Sequence, residues 1–279
     1  MDAHSSFCAF MTPLRLIALM IAAASLAACD SAPKVPNTTQ KNYPVIIRES
    51  ADSRAKAERE WRRMLDAYTV AQTPPDLHPV IYTPRSLLGV SGGIKLLTAP
   101  PERGSENIAL REAMKSFLDR WRDLLNADPS AVSLARGDGA GATQRLTYRQ
   151  ANYGFPVVGN YGEITAVVSN DGRLMQLDDR FIPPTELPQR PQIAREDAQK
   201  RVVGRSFTYT DIAGREQRMQ VTNAADVTAK QLVVLPIQKG DNIEVHLAWE
   251  VTAGRGLSWT VYVDAITGDE LRTVQNFQT

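Results

Sequence analysis

The sequence has almost no cysteine and almost no histidine: only Cys8 and Cys29, and three histidines, occur among 279 residues. Cys8 falls in an N-terminal leader, so the processed chain would keep one cysteine, and an internal disulfide is excluded. Neither His78 nor His246 has a second histidine four residues away, which excludes the His-Glu-x-x-His helix of zinc proteases. Charge shows no bias either. Lys and Arg number 32 against 31 Asp and Glu, with no long run of one sign. That balance excludes a strong field for nucleic acid or an acidic surface. No paired carboxylates stand out for acid–base work and no cofactor motif occurs, so the expectation is a non-enzyme with no cofactor, no metal and no small-molecule substrate. What remains is ordinary for a globular chain, 43% hydrophobic and 23% charged.

Residues 1–28 read as a targeting segment. Arg15 precedes an apolar stretch over 16–24, and Ser25-Leu26-Ala27-Ala28 is small and cleavable. The stretch is shorter than the roughly 20 residues that span a bilayer. A start at Met11 would give a cleaner leader, Met11-Thr12-Pro13-Leu14-Arg15, and the precursor mass decides between the two starts. Leu26-Ala27-Ala28-Cys29 resembles the bacterial lipoprotein signal. The resemblance implies cleavage between Ala28 and Cys29 and lipid on the Cys29 thiol and amine; the alternative is an ordinary signal peptide that happens to end there. Several acyl chains anchor a protein stably where one does not. In a Gram-negative host, Asp30 after the cysteine implies retention at the periplasmic face of the inner membrane. Residues 29–45, with Pro33, Pro36, Pro44 and little to bury, read as an extended tether.

The clearest pattern lies over 242–275. Ile243, Val245, Leu247, Trp249 and Val251 alternate with Glu244, His246, Ala248, Glu250 and Thr252, then Gly254-Arg255-Gly256 interrupts. Leu257, Trp259, Val261 and Val263 alternate again, Thr267-Gly268-Asp269 makes a second turn, and 270–274 can return. Period two predicts a three-stranded meander with one apolar face, covered by a helix near 194–203. Asp264 and Asp269 are expected to cap backbone amides at the turn. The same alternation puts Glu244, His246 and Glu250 on the solvent side.

Upstream, Ala57, Trp61, Met64, Leu65 and Tyr68 form one stripe of a helix over 53–70, capped by Asp52 or Ser53. Glu58, Glu60 and Asp66 interleave with Arg54, Arg59, Arg62 and Arg63, so this is a solvated face and not a nucleic-acid patch. Residues 105–125 predict the longest helix, with Ser105 as cap and Asp128-Pro129 as stop. Residues 145–150 predict a strand, and 164–168 and 173–181 a hairpin turning at Asn170-Asp171-Gly172. Gly137-Asp138-Gly139-Ala140-Gly141 reads as a hairpin connection. Pro183-Pro184, Pro188 and Pro191 mark a boundary, followed by a helix over 193–203 and a buried strand over 231–237. Residues 205–230 show little pattern. Gly89-Val90-Ser91-Gly92-Gly93 matches the serine-hydrolase elbow string, but the short stretch from Ile94 to Pro100-Pro101 leaves no room for its helix, so a glycine turn is expected.

Two further resemblances concern family. Leu146-Thr147-Tyr148-Arg149-Gln150, then Tyr153-Gly154-Phe155-Pro156-Val157-Val158-Gly159, is similar to the core of the fungalysin/thermolysin propeptide (FTP) domain, with Val158 where phenylalanine is usual. Leu247-Ala248-Trp249-Glu250-Val251, then Trp259-Thr260-Val261-Tyr262-Val263-Asp264-Ala265 and Thr267-Gly268, resembles the PepSY module. The two stand in the order found in thermolysin-type metalloprotease precursors, where a zinc protease domain follows; here the sequence ends at Thr279. Arg149, Gln150, Tyr153, Gly154, Pro156, Val157, Gly159, Trp249, Tyr262, Asp264 and Gly268 carry the match.

The resemblance implies an α+β fold of two subdomains, each a twisted antiparallel sheet packed by helices, FTP-like over 105–187 and PepSY- or cystatin-like over 188–279, after a helix and irregular segment over 46–104. It implies a non-catalytic envelope lipoprotein with a protein partner, most concretely an in-trans inhibitor or folding chaperone of a secreted zinc metalloprotease. Its contacts would be strand edges and Val274, Gln275, Asn276 and Phe277, where the family chain continues into the protease; on the residues alone that tail reads as a frayed end. The alternative is a structural or sensing PepSY lipoprotein without a protease.

Overall fold

The computed structural model describes residues 42–278 apart from 88, 100, 101 and 103. The architecture is α+β, with two five-stranded antiparallel sheets and helices on each.

The first sheet has the order β4-β8-β7-β6-β5. Its strands are β4 (Ile94–Lys95), β5 (Val132–Ala140), β6 (Thr143–Gln150), β7 (Glu163–Ser169) and β8 (Arg173–Asp179). Strict alternation in β7 buries Ile164, Ala166 and Val168 on one face. That face packs on α1 (Ala51–Ala67), α2 (Glu106–Arg120) and α3 (Arg122–Leu125), whose Trp61, Met64, Leu65, Phe117 and Leu125 join the same core. The expected glycine connection is different. Gly137 to Gly139 belong to β5, and Gly141, at φ +63°, makes the turn into β6.

Helix boundaries follow local chemistry. Ser50, not Asp52 or Ser53, caps α1, its side chain accepting from Ser53 N at 3.3 Å. Ser105 makes no capping bond; its hydroxyl donates to Glu102 O at 2.9 Å. The helix expected over 105–125 breaks at Trp121 (φ −109°, ψ 23°) into α2 and α3, and left-handed Asn126 ends α3. The break leaves the apolar period intact, so both pieces still face one core.

The second sheet is the expected meander, β12 (Asn242–Ala253), β13 (Trp259–Asp264) and β14 (Glu270–Gln275), with β11 (Val227–Lys239) on the other edge of β12. β1 (Val45–Arg48) completes it, pairing with residues 242–245 of β12. The tether expected to run to residue 45 therefore ends inside the fold. α4 (Arg195–Val202) covers one face through Ala198 and Val202. The other face is not open either: Val233, Leu235 and Ala248 are fully buried, and Leu271 of β14 packs in one cluster with Ile237 of β11 although two strands lie between them. The sheet is strongly curled.

Two small ribbons complete the chain, β2 (Asp76–Leu77) with β3 (Pro84–Ser86), and β9 (Ser206–Thr210) with β10 (Glu216–Gln220). The second lies in the stretch that showed little pattern.

Candidate functional site

The FTP-like motif forms the joint between the two sheets. Arg149 lies outward and pairs with Glu163 at 3.0 Å. Gln150 is buried, and its amide bonds both backbone groups of Ile182, accepting from N at 3.2 Å and donating to O at 2.6 Å. It thus mimics a strand partner where the ladder ends. The Tyr153 hydroxyl donates to Pro183 O at 3.0 Å. The chain then turns through Gly154 (φ +71°) and lays Pro156-Val157-Val158 along the free edge of β11. Val234 N donates to Pro156 O at 2.9 Å and Val158 N to Val234 O at 3.0 Å. Val157 and Val158 pack on opposite faces of the second sheet, so this short segment grips it from both sides. Gly159 returns at φ +83°, a conformation that favours glycine, and the Arg272 guanidinium lies beside it.

The PepSY-like motif is a buried polar network around Asp264, which is 1% exposed. As expected, its carboxylate caps the turn, accepting from Ile266 N at 2.8 Å and Thr267 N at 3.0 Å. Asp269 instead accepts from the Thr267 hydroxyl at 2.7 Å. Asp264 also meets His246 Nδ1 at 2.8 Å and the Tyr43 hydroxyl at 2.9 Å. Burial pushes the Asp264 carboxyl up, but these four bonds outweigh it and hold it below the usual range. His246 is not on a solvent face. It is 5% exposed, and its Nε2 lies 3.2 Å from Glu244, which in turn pairs with Lys239 at 2.6 Å. The Lys239 bond keeps Glu244 below its ordinary value. With a carboxylate on each ring nitrogen, His246 is a structural link. Glu250 is turned to Gln231 at 2.9 Å, and among the described residues no group of three His, Cys, Asp or Glu side chains is arranged to hold a metal ion.

The remaining motif residues hold the helix cover in place. Trp249 Nε1 donates to Ile193 O at 2.9 Å, just before α4. Arg201 of α4 donates to Gly268 O at 3.0 Å and fills the space a side chain at Gly268 would need. Tyr262 sits half-buried in the cluster on the opposite face.

The tail is not frayed. Val274 and Gln275 belong to β14, and Asn276 N extends the ladder to Ser258 O at 3.0 Å. Phe277 docks edge-on to Trp259 and Tyr209, at centroid distances of 5.0 and 5.4 Å. Ser91 is exposed on a glycine turn that runs into β4, with no helix following it. Ala28 and Cys29 lie outside the described residues, and no helix among the described residues is long and apolar enough to cross a membrane.

Sequence reading missed Tyr43 and the cleft where the sheets meet. That cleft, about 780 Å³, is lined by residues that include Asp76, His78, Asp178, Tyr161, Gln238 and Arg272. The one signal for Tyr43 was that it is the sole aromatic residue between positions 30 and 60.

No protein-family profile and no curated protein matches the chain. Among solved structures, the chain is similar to the C-terminal domain of YpeB from Bacillus megaterium, over 82% of this chain and 98% of that one, at 15% identity and a TM-score of 0.35.

Proposed function

We propose that this chain is a non-catalytic protein of the bacterial cell envelope, anchored by lipid on Cys29, that binds a protein partner through its open strand edges. In its most concrete form it inhibits or chaperones in trans a secreted thermolysin-type zinc metalloprotease, from the periplasmic face of the inner membrane. Strands β5 to β8 then belong to an FTP-like subdomain over 105–187 and β9 to β14 to a PepSY-like subdomain over 188–279, with β4 and β1 added from the preceding segment and Pro156-Val157-Val158 coupling the two. The observation that carries this reading is that each sheet ends in an edge strand, β5 and β14, with no partner on its outer side among the described residues. Adding an extended segment to such an edge is a common recognition mode.

Titrating a thermolysin-type protease of the same organism with the soluble chain 30–279 tests it. Stoichiometric, slow inhibition is expected. Asn276 bonding to Ser258 sets the ladder so that the Thr273 amide points outward. Thr273→Pro should therefore weaken inhibition without unfolding the sheet. Absence of inhibition at high excess would sink the protease reading.

A second reading, a structural or sensing module without a protease, draws on the docking of Phe277 against Trp259. The segment that runs on into the protease in the family is here taken up by the chain's own sheet.

A further inference from the structure

The cleft of about 780 Å³ between the sheets gathers three guanidinium groups, Arg85 of β3, Arg180 just after β8 and Arg272 of β14. Two of them are already matched. Arg85 holds Asp76 through Nε at 3.1 Å and Nη2 at 2.6 Å. Arg180 holds Asp178 in a fork, at 3.1 and 2.8 Å. Arg272 has no acidic partner among the described residues, and its guanidinium lies beside Gly159. The cleft thus keeps one uncompensated positive charge.

His78, which also lines the cleft, is set as a donor. Its Nδ1 accepts from Val80 N at 3.2 Å and Ile81 N at 3.4 Å, which leaves the ring proton on Nε2. Burial, then the charges of Arg85 and Arg180, hold its pKa below the ordinary value, so the ring is neutral at pH 7. An edge contact with Tyr161, at a centroid distance of 5.8 Å, fixes its plane. One free planar fork and one fixed N–H donor suit a planar anion with two acceptor oxygens.

We propose that this cleft is a carboxylate-binding site, with the Arg272 guanidinium as the charged fork and His78 Nε2–H as the second donor, and that its occupant is an aspartate or glutamate side chain of a bound peptide. The peptide source deepens the partner-binding reading and rests on it; the carboxylate chemistry does not. Arg272 lies on edge strand β14, so an extended segment paired there would bring its side chains to the cleft mouth.

Calorimetric titration of the soluble chain at low salt tests this without any protease. The probes are an acetylated, amidated Gly-Glu-Glu-Gly peptide, its Gln-Gln counterpart and free glutarate. The glutamate peptide should bind saturably, at least about tenfold tighter than the glutamine peptide, and Arg272→Gln should weaken it about tenfold. Arg272→Lys should restore part of the affinity, and His78→Gln should weaken binding separately. Unchanged unfolding midpoints in the two Arg272 variants keep the comparison fair, since that side chain is exposed and makes no ion pair among the described residues. Glutarate binding as tightly as the peptide, and competing with it, would keep the carboxylate site and overturn the peptide assignment. Equal binding of both peptides, no effect of Arg272→Gln, or no saturable binding by either carboxylate would overturn the site. Failure here with protease inhibition intact would leave the partner reading standing.

Discussion

The Tyr43 hydroxyl lies 2.9 Å from the Asp264 carboxylate, 221 residues along the chain. It also accepts from Leu247 N at 3.0 Å, on the edge of β12 where pairing passes from β1 to β13. One phenol thus fills the break in that edge and closes the network through His246 to Lys239. Burial, then the charge of Asp264 and the bond to it, raise the Tyr43 phenol far above its ordinary value, so it stays a donor. Tyr43→Phe would leave a buried amide and a buried carboxylate each short of a partner. A destabilisation of about 2 kcal/mol is expected from two such losses. Urea titration should show a lower midpoint at unchanged slope; a change within experimental error would mean that Tyr43 is a bystander.

The joint between the sheets gives a sharper test. A Cβ on Gly162 would lie 2.4 Å from Val157 Cβ, at φ +76°. Gly162 cannot move aside, because its N donates to Arg180 O at 2.8 Å and its O accepts from Gln150 N at 3.0 Å. Gly162→Ala should destabilise by about 3 kcal/mol, left-handed strain and overpacking together. Gly154, at φ +71°, has open space around it, so Gly154→Ala should cost only the strain, about 1 kcal/mol. Adding Val157→Ala to Gly162→Ala should recover part of the loss, a coupling that a double-mutant cycle reads directly. Strict additivity would refute the steric account.

Phe277 carries the end of the chain. Its edge contacts with Trp259 and Tyr209, and Trp259's stacking on Phe207 at 4.8 Å, make one aromatic cluster over the second sheet. Phe277→Ala should destabilise by about 1.5 kcal/mol, below a fully buried Phe→Ala loss because the ring is half-buried. Tryptophan fluorescence should shift with it. For the same reason, deleting residues 274–279 confounds partner contact with loss of β14, and Thr273→Pro is the cleaner probe.

The meander was legible because both of its flanks alternate and its glycines sit where the chain reverses. Asp264 was legible as an amide cap for the same local reason. What escaped depends on tertiary closure. His246 occupies a position that alternation assigns to solvent, and the Tyr43 ring, edge-on at 5.8 Å, covers it together with Asp264. β1 is four residues beside a proline-rich polar stretch, with no partner visible in sequence. β9 and β10 are half polar, since one side of the ribbon faces water. The break at Trp121 is invisible because the helical period runs through it. Val158, where the FTP pattern has phenylalanine, packs on Leu235 and Ala248, an aliphatic surface with which a smaller side chain is compatible.

Asp179 sets the pH dependence. Its carboxyl is fully buried beside the first core; Oδ1 accepts from Phe181 N at 2.9 Å, while Oδ2 has no partner among the described residues. Burial raises its pKa well above the carboxylate range, and Asp178 adds to it. A raised folded pKa means that the proton is held more tightly in the folded chain. The stabilisation is therefore complete below the unfolded value, about 3.9, and is lost as pH rises through the folded value. Asp264 acts in the opposite sense: its depressed pKa stabilises the fold above about 3.9, and that contribution is lost as pH falls through the folded value. Asp179→Asn keeps an acceptor for Phe181 and removes the charge. Its gain over the wild type should be clear at pH 8 and shrink steadily toward pH 4. Urea titrations across that range give the difference at each pH; a gain that does not vary with pH would show that Asp179 does not titrate in it.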